Sequence, residues 1–202
     1  MRSMLVWLMV LFGGIFLPAT PANGDAGPCQ PAELFAADDA DPLFEMQANA
    51  TIALNGAAVT GSTPLDGVYW SNAQRQITFE RSREFHLCVA DELTLHNVAE
   101  ALRRQFGQEA VLTFDYLPRD APETDAVRIA VPGSDIERLQ IAFTADSAAR
   151  HRLQGGSVTT FDHTLVLVAG TDDLDIARQL AEEAGGNWSA ATIAYGNREF
   201  VD

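Results

Sequence analysis

The sequence predicts an α+β fold, with an N-terminal β-hairpin or meander followed by two βαβ units in one mixed sheet. A ferredoxin-like arrangement is one form such a sheet can take. Three observations lead there. Short apolar runs rich in Val, Ile, Phe and Tyr recur from residue 66 onward and read as strands. The stretch TLHNVAEALRRQFG (94–107) switches to a helical period, with Leu95, Val98, Leu102 and Phe106 on one face. Finally, FHLCVADELTLHNVAEALRRQFGQEAVLTFDY (85–116) matches HTLVLVAGTDDLDIARQLAEEAGGNWSAATIAY (163–195) element for element. Val98 aligns with Ile176, Leu102 with Leu180, Gly107 with Gly185 and, after one extra residue, Tyr116 with Tyr195. A repeated order of strand, acidic turn, amphipathic helix, glycine and strand indicates two copies of one unit.

Taken in order, the chain opens on an export signal. Arg2 precedes the uncharged run MLVWLMVLFGGIFL (4–17), and Pro18 and small residues follow it. This reads as a signal peptide over 1–24, cleaved after Ala22 or Gly24. The run of 14 residues is short of the roughly 20 that span a bilayer. No later segment is apolar enough to span one, so the mature chain is expected to be periplasmic or secreted.

Residues 25–43, rich in Pro, Ala and Asp, are expected to form an acidic lead-in to a single domain over 44–202. Residues 44–82 read as the β-meander, with a hairpin at Asn55-Gly56 and strands at 66–70 and 75–80. Residues 83–116 form the first βαβ unit, its helix capped by Thr94 and closed by Gly107. Residues 117–156 supply a connecting strand and a helix that starts at Ser134 and stops at Gly155-Gly156. Residues 157–202 form the second unit, opening on SVTTFDHTLVLVA as its strongest strand. Asp172, Asp173 and Asp175 are expected to cap the helix that follows. Gly170 alone does not make a phosphate cradle, since the G-x-G-x-x-G pattern is missing and those carboxylates repel phosphate.

Composition narrows the chemistry. The formal charge of −15 disfavours nucleic acid and anionic lipid as partners. All thirteen basic residues are Arg, which removes every mechanism that needs a lysine. In an oxidising compartment the two cysteines, Cys29 and Cys88, are expected to form a disulfide. No serine-nucleophile elbow or recognised metal spacing is present, and no motif calls for a cofactor. The best candidates for acid–base or metal chemistry are His86 and His163, on strands leading into the two helices, joined by Asp115 or Asp162. Three functions follow as expectations. The first is an exported, non-catalytic module that binds a protein partner in the cell envelope. The second is an exported hydrolase, metal-assisted through those His and Asp residues. The third is a small-ligand-binding protein.

Overall fold

The computed structural model of the chain describes residues 29–38, 41–71 and 74–202. The expected signal peptide and its cleavage sites lie outside the described residues. The strands are β1 (Gln30–Ala37), β2 (Ala58–Ser71), β3 (Gln76–Val89), β4 (Val111–Tyr116), β5 (Ala126–Val131), β6 (Gly155–Thr159), β7 (Leu165–Gly170) and β8 (Thr192–Val201). The α-helices are α1 (Phe44–Leu54), α2 (Glu92–Phe106), α3 (Ile136–Ala145), α4 (Ser147–Arg152) and α5 (Leu174–Glu183).

The strands close into one barrel, in the order β1-β3-β2-β6-β7-β5-β8-β4 and back to β1. Every neighbouring pair is antiparallel. The fold is therefore a closed antiparallel barrel, and the expected mixed, ferredoxin-like open sheet does not form. Strand insertion splits each expected βαβ unit, and the two seams that join the halves close what would otherwise be an open sheet. Helix α2 joins β3 to β4, but β1 lies between them and pairs with both. Helix α5 joins β7 to β8, and β5 lies between those. The parallel strands of each expected βαβ unit thus never touch. The seams β2–β6 and β4–β8 then leave no free edge.

Alternation sorts each strand into two faces. Ala32, Leu34, Ala36, Phe85, Leu87 and Val89 pack with Ile52 of α1 and with Val98 and Leu102 of α2. On the other half, Val127, Ile129, Leu165 and Leu167 pack under Leu139 and Phe143 of α3 and Leu180 of α5. These helices sheathe the outer wall. A third cluster, Phe114, Ala126 and Val168 with Phe35, Leu112 and Tyr116, uses the opposite face of the same strands and fills part of the lumen. Fully buried Leu102 and Leu180 each contribute about 1.5–3 kcal/mol through burial. Strands β4 and β8 come so close that a Cβ on Gly196 would sit 2.0 Å from the Asp115 carbonyl oxygen, so only glycine fits there.

Several local expectations change. The meander expected over 44–82 begins instead with α1, which buries Phe44, Ala48 and Ile52 at a four-residue spacing. Asn55 ends that helix, and Gly56 makes the turn at φ +91°, so Asn55-Gly56 is a helix exit and not a hairpin. Residues 30–37 of the expected lead-in form β1. Asp91, not Thr94, caps α2, accepting from the Thr94 amide at 2.8 Å and from its hydroxyl at 2.7 Å. Asp135, not Ser134, caps α3. The helix expected after residue 134 breaks at Asp146, which caps α4. Gly155 and Gly156 then open β6. The strand expected over 157–169 is a hairpin of β6 and β7. Asp172 and Asp173 lie in a 3-10 turn (Thr171–Asp173), and no side chain caps it or α5.

The disulfide Cys29–Cys88 is present and ties the residue before β1 to β3 across 59 positions of chain. Among the described residues, no helix is long and apolar enough to cross a membrane.

Candidate functional site in the barrel lumen

The inward faces of the first half carry two buried carboxylates, Glu33 and Glu84. On β1, Glu33 alternates with the helix-packed Ala32 and Leu34 and so points inward. On β3, Glu84 and His86 alternate in the same way with Phe85 and Leu87. Glu33 and His86 are directly opposite each other in the β1–β3 register. His86 Nδ1 lies 2.6 Å from Glu33 Oε2, and the Tyr116 hydroxyl of β4 donates to Glu33 Oε1 at 2.7 Å. On its far side, His86 Nε2 meets Thr63 Oγ1 of β2 at 3.1 Å.

Arg128 comes from the opposite wall. Strand β5 is four steps from β3 in either direction around the barrel, so the Arg128–Glu84 ion pair crosses the lumen. Arg128 Nε donates to Glu84 Oε1 at 2.7 Å, and its terminal nitrogen lies 2.6 Å from the same oxygen. Glu84 is 1% exposed and Glu33 6%, whereas the His86 side chain is 35% exposed. The imidazole is therefore where this buried polar cluster reaches solvent. A β-bulge in β2 between Val59 and Gly61 faces it. A Cβ on Gly61 would come within 3.3 Å of His86 Cδ2, so the glycine lets the ring lie close to the strand.

The electrostatics follow from these contacts. Burial raises the Glu84 carboxyl above its ordinary range, and Arg128 only partly opposes this. The hydrogen bond that the His86 imidazole donates to Glu33 raises it, against the effect of burial. Burial and the bond to Glu33 raise the Tyr116 phenol. Burial works against the Arg128 guanidinium, but Glu84 and its acidic neighbours outweigh it and keep the cation in place. One donor atom from each of Glu33, Glu84 and His86 lies within 4.8 Å of the other two, so the three side chains share one small volume of the lumen. A second inward group, Tyr69, bonds Ser157 at 2.5 Å and Ser82 at 3.1 Å and completes the polar lining.

The residues singled out from the sequence divide. His86 is in the cluster. Asp115 is on β4 but faces the helices, where Gln30 donates to both its oxygens at 2.7 and 2.6 Å. Asp162 and His163 are exposed in the turn between β6 and β7, where Thr159 donates to Asp162 and His163 adopts φ +55°. Strands β2 and β6 separate β3 from β7, so the two expected histidine strands are not neighbours. Glu33, Glu84, Tyr116 and Arg128 were not foreseen. Glu33 and Arg128 are marked in the sequence only as charged residues between apolar neighbours, a pattern that reads equally well as a solvent-facing edge, and Glu84 and Tyr116, which follow Arg83 and Asp115, lack even that mark.

The turn at Gly170 lines an open pocket of about 370 Å³ with His151, Arg152, Asp125 and Arg198. Its charges are largely satisfied internally: Arg152 pairs with Asp173 at 2.6 Å, and Asp125 accepts from the Arg198 amide at 3.2 Å.

No protein-family profile matches the chain. No curated protein matches it either. Among solved structures it is similar to a protein of unknown function from Galdieria sulphuraria, at 14% identity and a TM-score of 0.31, covering 83% of this chain and 98% of that one. It is similar to a proposed monooxygenase from Lactobacillus acidophilus NCFM, at 11% identity and a TM-score of 0.28, covering 85% and 95%. It is also similar to an anthrone oxidase-like protein, at 9% identity and a TM-score of 0.26, covering 86% and 93%. Similarity at this level carries no statement about activity, so the functional reading rests on the lumen itself.

Proposed function

We propose that this chain is an exported barrel protein that binds a small polar molecule at the His86 end of its lumen. The observation that carries the reading is the inward-facing cluster of Glu33, Glu84, His86, Tyr116 and Arg128, in which the two carboxylates are buried and the half-exposed imidazole meets solvent. Groups that face inward do not contact a docked protein, so this cluster favours a small ligand over the envelope partner expected first. A carboxylate-held imidazole beside a hydroxyl also suits proton exchange with a bound molecule. Export is supported by the leader-like residues 1–24 and by the disulfide.

The test is thermal unfolding of the exported, disulfide-bonded chain against carboxylic acids, amino acids, sugars and nucleotides, with His86→Gln in parallel. A ligand at one hundred times its Kd stabilises by about 2.7 kcal/mol. The expected outcome is a saturable rise with one chemical class that His86→Gln abolishes. A panel flat for the wild type, together with a crosslinked envelope protein, would return the reading to a partner-binding module.

A further inference from the structure

We infer that the lumen holds a first-row divalent cation, with Glu33, Glu84 and His86 as its protein ligands. This deepens the small-ligand reading and rests on it: the polar molecule would enter at the cation. The donor atoms already converge within 4.8 Å, on two adjacent strands whose hydrogen-bonded register holds them in place.

The surroundings of the three residues supply an independent observation. Each has one heteroatom held by a residue outside the trio and another free of such a partner. Glu33 Oε1 is held by Tyr116, Glu84 Oε1 by Arg128, and His86 Nε2 by Thr63. That leaves Glu33 Oε2, Glu84 Oε2 and His86 Nδ1. Metal-binding imidazoles and carboxylates are typically fixed in this way through the atom that does not ligate. In the present structure, Glu33 Oε2 and His86 Nδ1 share a hydrogen bond at 2.6 Å. The cation takes the position of the shared proton, which leaves to solvent past the half-exposed imidazole.

Charge and donor type select the ion. Two carboxylates and one imidazole form a mixed oxygen and nitrogen set suited to Zn²⁺, Mn²⁺ or Fe²⁺, with none of the soft sulfur that would favour Cu⁺. Three protein ligands leave a coordination position for water or a substrate. With both carboxylates ionised, a dication and Arg128 give the site a net charge of about +1, so the molecule completing it is an anion, such as a carboxylate.

The experiment is calorimetric titration of the EDTA-treated, disulfide-bonded chain with ZnCl₂ and MnCl₂, followed by Co²⁺ loading and visible spectroscopy. The expected result is one equivalent bound with micromolar or tighter Kd, and a Co²⁺ spectrum with a nitrogen ligand that His86→Gln removes. Glu33→Gln and His86→Gln each weaken binding at least 100-fold, and Tyr116→Phe weakens it about 10-fold, in the range typical of outer partners. His96→Ala, at an exposed Glu199 pair, leaves binding unchanged and controls for the acidic surface. Circular dichroism confirms that each variant is folded, and His86→Gln, at a partly exposed position, keeps the test decisive if a glutamate variant fails to fold. Binding weaker than millimolar, or binding that His86→Gln leaves intact, overturns the cation site. A metal-free chain that still takes a polar ligand through His86 overturns it too, while leaving the small-ligand reading standing.

Discussion

Residues 30–116 and 126–201 both run β-α-β-β-α-β, with the first helix of the second half broken into α3 and α4, yet they line the lumen differently. The first half turns Glu33, Glu84, His86 and Tyr116 inward. The second half offers Ala126, Arg128 and Ala130 on β5, opposite Gly170, Val168 and Val166 on β7. Under the helices the two halves agree: Val98, Ala99 and Leu102 of α2 correspond to Ile176, Ala177 and Leu180 of α5, and Gly107 and Gly185 both take positive φ. The difference teaches where a repeated scaffold is free to diverge. The helix-covered face stays mainly apolar in both copies, because each half depends on that burial. The lumen is shared, so one half can supply the acids and the other their counter-charge.

Breaking that division should produce the largest effect. Arg128→Met strands Glu84, 1% exposed, without its cation. A loss of about 3–5 kcal/mol is expected, with most of it recovered in the Arg128→Met/Glu84→Gln double variant. Urea unfolding of the four members of this cycle measures it, and a single-variant loss below about 1 kcal/mol would show that the pair does not join the halves.

The disulfide belongs to the first half alone. Replacing both Cys29 and Cys88 with Ser releases a loop of 59 positions. The expected loss is about 4 kcal/mol in the chain-entropy model. Dithiothreitol should lower the Tm of the wild type toward that of the double variant and leave the variant unmoved.

Helix entry separates the halves more gently. Asp91 caps α2, whereas α5 starts from a 3-10 turn with no side-chain cap. Asp91→Ala should lower stability by removing the only side-chain cap of α2. Hydrogen exchange should locate the loss in α2, and a loss shared equally with α5 would contradict independent helix entries.

The smallest effect concerns Asp115, the first half's acid turned toward the helices. Burial raises its carboxyl above the ordinary 3.8, with the Gln30 hydrogen bond opposing. The folded chain thus holds this proton more tightly than the unfolded chain, and protonation favours the fold. Wild type should gain stability over Asp115→Asn as pH falls from neutrality through the raised value toward 3.8. Paired melts at pH 7 and pH 4.5 check it, and a gain in the opposite direction would place Asp115 among the acids stabilised by their partners.

Much of the outer layer was legible in the sequence. The helical period of 94–107, the matching period of 174–183 and the two closing glycines name the faces that the helices bury. The cysteine pair was legible from the number of cysteines, two in the whole chain. Strand β1 was not, because Pro31 and the acids after Ala37 give residues 25–43 the composition of a linker. The aligned Tyr116 and Tyr195 also misled. Tyr116 joins the lumen cluster while Tyr195 packs with the outer core, because a one-residue offset turns a strand's side chains to the other face.

The lumen site was hidden for a related reason. In REFHLCVA, a period of two shows that Phe85, Leu87 and Val89 share a face opposite Glu84, His86 and Cys88. It does not show whether the polar face meets water or a closed interior. Local sequence determined helices α2 and α5, the face each of them covers and the cysteines available for pairing. Only the tertiary structure decided that β1 inserts between β3 and β4, that the seams β2–β6 and β4–β8 close the wall, and that Arg128 meets Glu84 across it. Those contacts join residues 44 to 94 positions apart, and no periodicity within one strand encodes which distant strand will lie opposite.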